Sequence, residues 1–289
     1  MRVLIIGGTR FVGPYVARSL AEQGHQVTVY HRGDHEAKLP PSVTHFRDPR
    51  AAMPVLAFPD SLLNPAPDVV IHMMAMGEAD GRAAVVAFGA RVSRIVWLSS
   101  GDVYRAYGRF MGIEPGEPEP GLLTEDSSLR RVLYPYRKPA QQHDDLHYFY
   151  EKILVEKVAL ENPDVRSVVL RLPKVYGPES NQDLATMYGY RKLPSWRWTH
   201  GYVENVAAAI VLAAMHADAP RRIYNVGESY TPTIQERLSA LPPSNIPDLD
   251  PPRGVMQDIA YDTARIRREL GYTEIVSYDE GIRRTLAAN

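Results

Sequence analysis

Tyr148 and Lys152 stand four residues apart in Tyr148-Phe149-Tyr150-Glu151-Lys152, ahead of an apolar-periodic run through Ile153, Leu154, Val158 and Leu160. On a helix that spacing places both side chains on one face, one turn apart. An ammonium held there favours phenolate over phenol, so Tyr148 can give or take a proton near neutral pH. The spacing alone is common on solvated helices. It gains weight from what opens the chain.

Val3-Leu4-Ile5-Ile6 is a short apolar run of the kind that forms a buried parallel strand, and Gly7-Gly8-Thr9-Arg10-Phe11-Val12-Gly13 follows at once. Val16, Leu20 and Ala21 then recur at helical spacing until Gly24, before a second strand from Val27 to Tyr30. Strand, glycine turn, helix and strand make a βαβ dinucleotide-binding unit. In it Gly7 allows the tight turn, Gly8 lets backbone approach a pyrophosphate and Gly13 lets helix and strand pack closely. The helix N-terminus holds the phosphates through open N–H groups and its dipole.

The second strand ends Val29-Tyr30-His31-Arg32, without a carboxylate for the ribose 2′-hydroxyl of NAD. Arg10 and Arg32 instead suit a 2′-phosphate, which a guanidinium binds bidentately, so NADP is expected ahead of NAD. Arg10 could equally be a solvated loop residue.

Further along, Val69 to Ala75 reads as a fourth strand and Ile95 to Tyr104 as a fifth, ending Ser99-Ser100-Gly101-Asp102-Val103-Tyr104. Arg171 to Pro178, Tyr202 to Ala207 and Tyr224-Asn225-Val226-Gly227 follow in order. With the glycine turn and the Tyr148/Lys152 pair, these segments resemble the extended branch of the short-chain dehydrogenase/reductases, the NAD-dependent epimerases and dehydratases. The resemblance spans nearly the whole chain. It implies a Rossmann-type doubly wound parallel α/β sheet with a small C-terminal substrate lobe. It also implies Tyr148 as proton donor or acceptor, and Lys152 as its partner and holder of the nicotinamide ribose. Ser100 matches the hydroxyl that bonds the reacting oxygen, and Asp48 the residue that reads the adenine amino group. A carbonyl or carbinol would then sit between Ser100 and Tyr148 while the cofactor carries the hydride.

Two decoys are set aside. Tyr134 and Lys138 are also four apart, but Pro135 and Pro139 oppose a continuous helix there. His143-Asp144-Asp145-Leu146-His147 offers two histidines at zinc spacing, with no third ligand evident and no cysteine in the chain, so no metal is expected. His200 either approaches substrate or serves the core.

Departures from the family pattern bear on substrate. Only Glu179 to Thr199 separate two segments that sugar-nucleotide enzymes hold far apart, which makes a complete nucleotide-sugar pocket doubtful. That stretch offers Arg191, Lys192 and Arg197 as cations, with Tyr188, Tyr190, Trp196 and Trp198 as aromatic surface, for a smaller polar substrate. Lys174 stands where the family usually has asparagine. The Pro- and Gly-rich segment between Tyr104 and Tyr148 is expected to act as a lid over the site.

At 289 residues, 45% hydrophobic and 23% charged, the chain reads as one globular protein. Net charge of −1 argues against a nucleic-acid surface, and zero cysteines exclude disulfides and thiol chemistry. No apolar run approaches the ~18 residues of a membrane span, and Met1-Arg2-Val3 leads straight into a strand, so a cytoplasmic protein is expected. Residues 1–174 and 201–228 are assigned to the dinucleotide-binding core, and 175–200 and 229–289 to the small lobe. Asp262-Thr263 and Gly271 bound a helix over Ala264 to Leu270, with Arg265, Arg267 and Arg268 as its solvated face. Relatives often dimerise, so a homodimer is open. The expected function is an NAD(P)-dependent oxidoreductase, epimerase or dehydratase acting on a small polar molecule. The alternative is a non-catalytic nucleotide-binding or RNA-associated protein, because the Gly-Gly-Thr-Arg-Phe turn also occurs in chloroplast stem-loop RNA-binding relatives.

Overall fold

A computed structural model describes residues 1–138, 146–179, 182–250 and 253–288. The chain opens with β1 (Arg2–Ile6), α1 (Gly13–Glu22), β2 (Gln26–His31), β3 (Thr44–Arg47), α2 (Asp60–Leu63), β4 (Val69–His72) and α3 (Glu78–Phe88). It continues with β5 (Arg94–Ser100), a 3₁₀ turn at Gly101–Val103, α4 (Arg105–Phe110), α5 (Leu146–Phe149), α6 (Lys152–Glu161) and β6 (Ser167–Leu172). Next come β7 (Lys174–Tyr176), α7 (Gln182–Gly189), β8 (His200–Tyr202), α8 (Val203–Met215), β9 (Arg222–Asn225), α9 (Ile234–Ser239), α10 (Ala264–Leu270) and α11 (Tyr278–Ala287).

Seven strands form one sheet in the order β3-β2-β1-β4-β5-β6-β9, and β7 pairs with β8 in a second. The β1–β2, β1–β4, β2–β3 and β4–β5 pairs are parallel, with Ile5 opposite Val29 on one side and Ile71 on the other. Helices on both faces of a parallel sheet require strands apolar throughout, and Val3 to Ile6 are at most 2% exposed. Strand order reverses between β1 and β4, the crevice where doubly wound sheets bind ligands at their carboxyl ends.

Two buried polar groups in the core find partners. The Trp97 indole N–H donates to Ser167 Oγ at 3.1 Å. Arg94, at the start of β5, donates to the carbonyls of Ala213, Ala214 and His216 at 2.7–3.1 Å. Those carbonyls end α8, so one cation satisfies orphan acceptors and the negative end of the helix dipole together.

The chain divides into two compact units: residues 1–100, 133–171 and 207–224, and residues 101–132, 172–206 and 225–289. The expected core ran unbroken to 174, whereas 101–132 belongs to the second unit. Its partners explain this. Leu123 N–H donates to the Ala260 carbonyl at 2.7 Å, and Tyr104 OH donates to Asn225 Oδ1 at 2.5 Å. Glu125 Oε1 accepts from the Asn225 N–H at 2.9 Å, and Glu114 accepts from the backbone N–H groups of Arg131 and Val132. The segment expected as a lid is therefore anchored, over 105–132, by buried polar contacts within that unit.

α10 has the expected bounds, with Asp262 Oδ1 accepting from Ala264 N–H at 2.7 Å and Gly271 left-handed at φ 72°. Arg267 is not a solvated face residue: its guanidinium binds Glu274 at 2.7 and 2.8 Å and the Gly227 carbonyl at 3.0 Å. Among the described residues no helix is long and apolar enough to cross a membrane.

Candidate active site

The glycine turn leaves β1 with Gly7 and Gly8 at φ 87° and 88°, a region open to glycine without steric cost. The role expected of Gly13 changes in detail. A Cβ there would lie 2.3 Å from Gly8 Cα, so Gly13 is needed because the turn folds against itself. Phe11 takes φ 59° as a non-glycine residue. Val12 leaves the start of α1 without a side-chain cap, Pro14 occupies the first turn, and the Gly13 N–H donates to the Arg10 carbonyl at 3.1 Å. Thr9 is half-buried and Arg10 exposed. Met74 packs on the turn, its Cγ 2.6 Å from where a Gly7 Cβ would stand, a contact the motif itself does not encode.

At the ends of β2 and β3 the charges are paired. Arg32 binds Asp34, a carboxylate just past the position where the sequence reading sought one, and Arg47 binds Glu36. Asp48, expected to read adenine, has its carboxylate engaged: Arg50 donates to it at 2.8–3.0 Å from its side chain and 2.9 Å from its backbone, and Tyr30 OH at 3.4 Å. The Arg50 hydrogen bonds hold the Asp48 carboxyl below its usual range.

Tyr148 and Lys152 do not share one helix. Tyr148 lies in the single turn α5, and α6 begins at Lys152. Between them Glu151 is extended (φ −154°, ψ 92°) and caps α6 by accepting from Ile153 N–H at 3.0 Å. Its own N–H donates to the Met76 carbonyl at 2.6 Å, and its carboxylate accepts from Tyr134 N–H. A Cβ on Gly77 would stand 2.6 Å from the Phe149 carbonyl oxygen, so the chain entering α6 lies directly on the loop after β4. These long-range contacts override the helical periodicity.

Lys152, 5% exposed, sends its ammonium to the carbonyls of Ala75 at 2.6 Å and Leu98 at 3.0 Å. It therefore sits at the carboxyl ends of β4 and β5. The Tyr150 ring lies near it, with its centroid 5.6 Å from Nζ. Tyr148 is half-buried beneath Arg137, whose guanidinium lies 4.1 Å from its ring centroid and 3.7 Å from that of Tyr134. The discarded decoy around Tyr134 is indeed not helical, yet it supplies the groups that frame Tyr148.

Ser100 ends β5, half-buried, two residues past the Leu98 carbonyl that holds Lys152. Ser99, on the opposite face by strand alternation, donates to Glu156 Oε1 at 2.6 Å, and Glu156 accepts two bonds from Arg171 at 2.9 and 2.7 Å. His72 ends β4, fully buried and stacked 5.6 Å from Trp97. Burial, with the Lys152 charge second, lowers its pKa to about 3, so the ring is neutral.

Within the second unit the cations expected to meet substrate have other partners. Arg191 and Lys192 both pair with Asp248, and Arg197 donates to the Thr231 carbonyl at 2.6 Å. Trp196 is core, stacked 4.5 Å from Phe110, and Tyr188 is buried too. Lys174 Nζ stands 5.4 Å from the Trp198 ring. His200 is 1% exposed. In the two-histidine pattern, residues 143–145 lie outside the described residues.

Residues 3–87 match the NAD dependent epimerase/dehydratase family. That match runs from β1 through the glycine turn into α3. Over its whole length the chain has the fold of solved members of that enzyme group. The UDP-glucose 4-epimerase of Thermus thermophilus, in complex with NAD, superposes with TM-score 0.67 at 21% identity, over 100% of this chain and 98% of that one. The UDP-glucuronic acid 4-epimerase of Bacillus cereus, in complex with NAD, gives 0.70 at 16%, with the same coverage. An NAD-dependent NDP-hexosamine 5,6-dehydratase of tunicamycin biosynthesis gives 0.70 at 21%, over 99% and 97%. A chloroplast stem-loop binding protein of Arabidopsis thaliana is 53% identical over 32 residues, 11% of this chain and 8% of that relative's length.

Proposed function

We propose that the protein is an NAD(P)-dependent enzyme of the epimerase/dehydratase group, acting on a carbonyl or hydroxyl of a small polar molecule. The observation that carries this reading is Lys152, a buried ammonium held at the carboxyl ends of β4 and β5, beside the crevice where strand order reverses. The residues fit a nicotinamide dinucleotide. The left-handed Gly7 and Gly8, the Gly13 contact and the dipole of α1 suit its pyrophosphate, and Lys152 suits its ribose hydroxyls. When bound, the cofactor accepts and returns a hydride. Ser100 bonds the reacting oxygen and Tyr148 moves its proton, with the Arg137 guanidinium 4.1 Å from the Tyr148 ring centroid holding that ring in place. A second assignment, Tyr150 as the acid/base, is favoured by one distance: its ring centroid lies 5.6 Å from the Lys152 ammonium.

Arg10 and Arg32 favour NADP. The pairing of Arg32 with Asp34 places a carboxylate near the same end of β2, which suits a ribose hydroxyl and so favours NAD. All three solved relatives described above are NAD proteins. The test is a paired calorimetric titration with NAD(H) and NADP(H), repeated on Lys152→Met. Binding of one cofactor that fails in Lys152→Met supports the reading, and binding of neither overturns it. That result would move a nucleotide-independent, RNA-associated role to the front, the role suggested by the short stem-loop protein match.

A further inference from the structure

The second unit contains a cavity of about 370 Å³ between β8, the segment after β9 and the segment leading into α11, within the size range of small-molecule sites. Its walls are aromatic. Tyr176, Tyr202 and Tyr272 are each 2% exposed, and Tyr230 stands at the mouth, 59% exposed.

Three buried polar atoms on this wall have no hydrogen-bond partner. They are Tyr272 OH, Tyr278 OH, whose ring lies 5.6 Å from the Arg237 guanidinium, and His200 Nε2. His200 Nδ1 lies 2.7 Å from the Trp198 carbonyl, which can only accept, so the ring proton is on Nδ1 and Nε2 is a bare acceptor. Burial, with the Arg237 charge second, keeps the ring neutral. A buried polar atom without a partner costs roughly 1–3 kcal/mol, so each calls for a ligand atom or an ordered water.

The charges narrow the ligand. Glu228 faces the cavity but is bound by Arg237, and Glu274 by Arg267 at 2.7 Å. Each carboxylate is matched by one guanidinium. What remains is an uncharged lining rich in acceptors (Nε2, carboxylate oxygens, phenol oxygens) between tyrosine faces. Among the described residues that line the cavity there is no arginine to hold a phosphate.

We propose that this cavity binds a neutral, hydroxyl-rich ring, a cyclic polyol or pyranose without phosphate or carboxylate. Its hydroxyls donate to His200 Nε2 and to the carboxylates and exchange bonds with Tyr272 OH, while its C–H faces lie on the tyrosine rings. The site is separate from the reaction proposed above and does not depend on it.

The test is calorimetric titration of the full-length protein, without nicotinamide cofactor, using D-glucose, N-acetylglucosamine, myo-inositol and D-glucuronate. At least one neutral ring is expected to saturate, with glucuronate at least about tenfold weaker. Tyr272→Phe keeps the ring packing, removes only the hydroxyl and should weaken binding about tenfold. The ¹⁵N resonance of His200 Nε2 should move during the titration in the unaltered protein, whether or not any variant folds. Saturation should persist in Lys152→Met, which separates this site from the cofactor reading. No neutral ring saturating below about 100 mM would overturn the proposal and leave the three atoms to water. Binding that leaves both the His200 resonance and the Tyr272→Phe affinity unchanged would place the ligand elsewhere, and would overturn it equally.

Discussion

The Arg137 guanidinium lies 4.1 Å from the Tyr148 ring centroid and donates through Nε to the Tyr148 carbonyl at 2.8 Å. One cation thus fixes both the backbone and the ring of the tyrosine that the family resemblance designates for proton transfer. Removing it should leave that ring less well placed and lower kcat by about tenfold or more with cofactor affinity retained. Steady-state kinetics and cofactor titration of Arg137→Ala test this, and an unchanged kcat separates Arg137 from the chemistry.

Two tyrosines compete for the acid/base role, and conservative substitution distinguishes them. Tyr148→Phe is expected to lower kcat by about 10²–10⁴, the usual contribution of general acid–base catalysis, with cofactor affinity retained. Tyr150→Phe should keep turnover within about threefold. The reverse pattern would transfer the role to Tyr150.

Gly13→Ala places a methyl group 2.3 Å from Gly8 Cα. Backbone cannot yield as a flexible side chain would, so a stability loss of about 1–3 kcal/mol is expected along with loss of dinucleotide binding. Urea unfolding and calorimetry on the same preparation measure both. A variant that still binds cofactor normally would show that the turn has slack.

Glu156 and Arg171, 4% and 1% exposed, form a buried pair at 2.7 Å. Glu156→Ala leaves an uncompensated buried guanidinium and should cost about 3–5 kcal/mol, whereas Glu156→Leu with Arg171→Met should cost less than the single change. Denaturant midpoints of the three proteins give the comparison. A double variant less stable than the single one would show that Arg171 has other indispensable partners.

His72 links stability to pH. Its folded pKa is lowered to about 3 by burial and then by Lys152, against 6.5 for an ordinary histidine. Between those values the unfolded chain binds a proton that the folded protein does not, so stability falls on acidification at up to about 1.4 kcal/mol per pH unit from this group. The contribution is complete above pH 6.5. Chemical unfolding at about pH 7 and about pH 5 should show a shallower loss in His72→Leu than in the parent. Equal slopes would mean that His72 does not carry the linkage.

Much of the fold was legible because strands and turns depend on near neighbours. Continuous apolar runs marked β1, β4 and β5, the glycines marked the turn, and Asp262 and Gly271 bounded α10. Ser100 and Lys152 were legible as residues at strand and helix ends, since their places follow from motif order. What the periodicity from Tyr148 to Leu160 did not reveal is the break at Glu151. That break depends on the Met76 carbonyl, the Tyr134 N–H and the close approach of Gly77, all distant in sequence. The fate of the arginines was equally hidden. A guanidinium's partner is chosen by three-dimensional proximity, so Arg191, Arg197 and Arg267 looked available and are engaged. The allegiance of 101–132 followed the same rule, because buried groups such as Tyr104 and Glu125 draw a segment toward whichever unit holds their hydrogen-bond partners, here Asn225. By itself the sequence determined a dinucleotide-type βαβ start and a parallel sheet, since both follow from local apolar runs and glycines. Which tyrosine meets Lys152, and the tyrosine-lined cavity around His200, were decided only by tertiary structure, because both depend on residues that adjacency in the chain does not bring together.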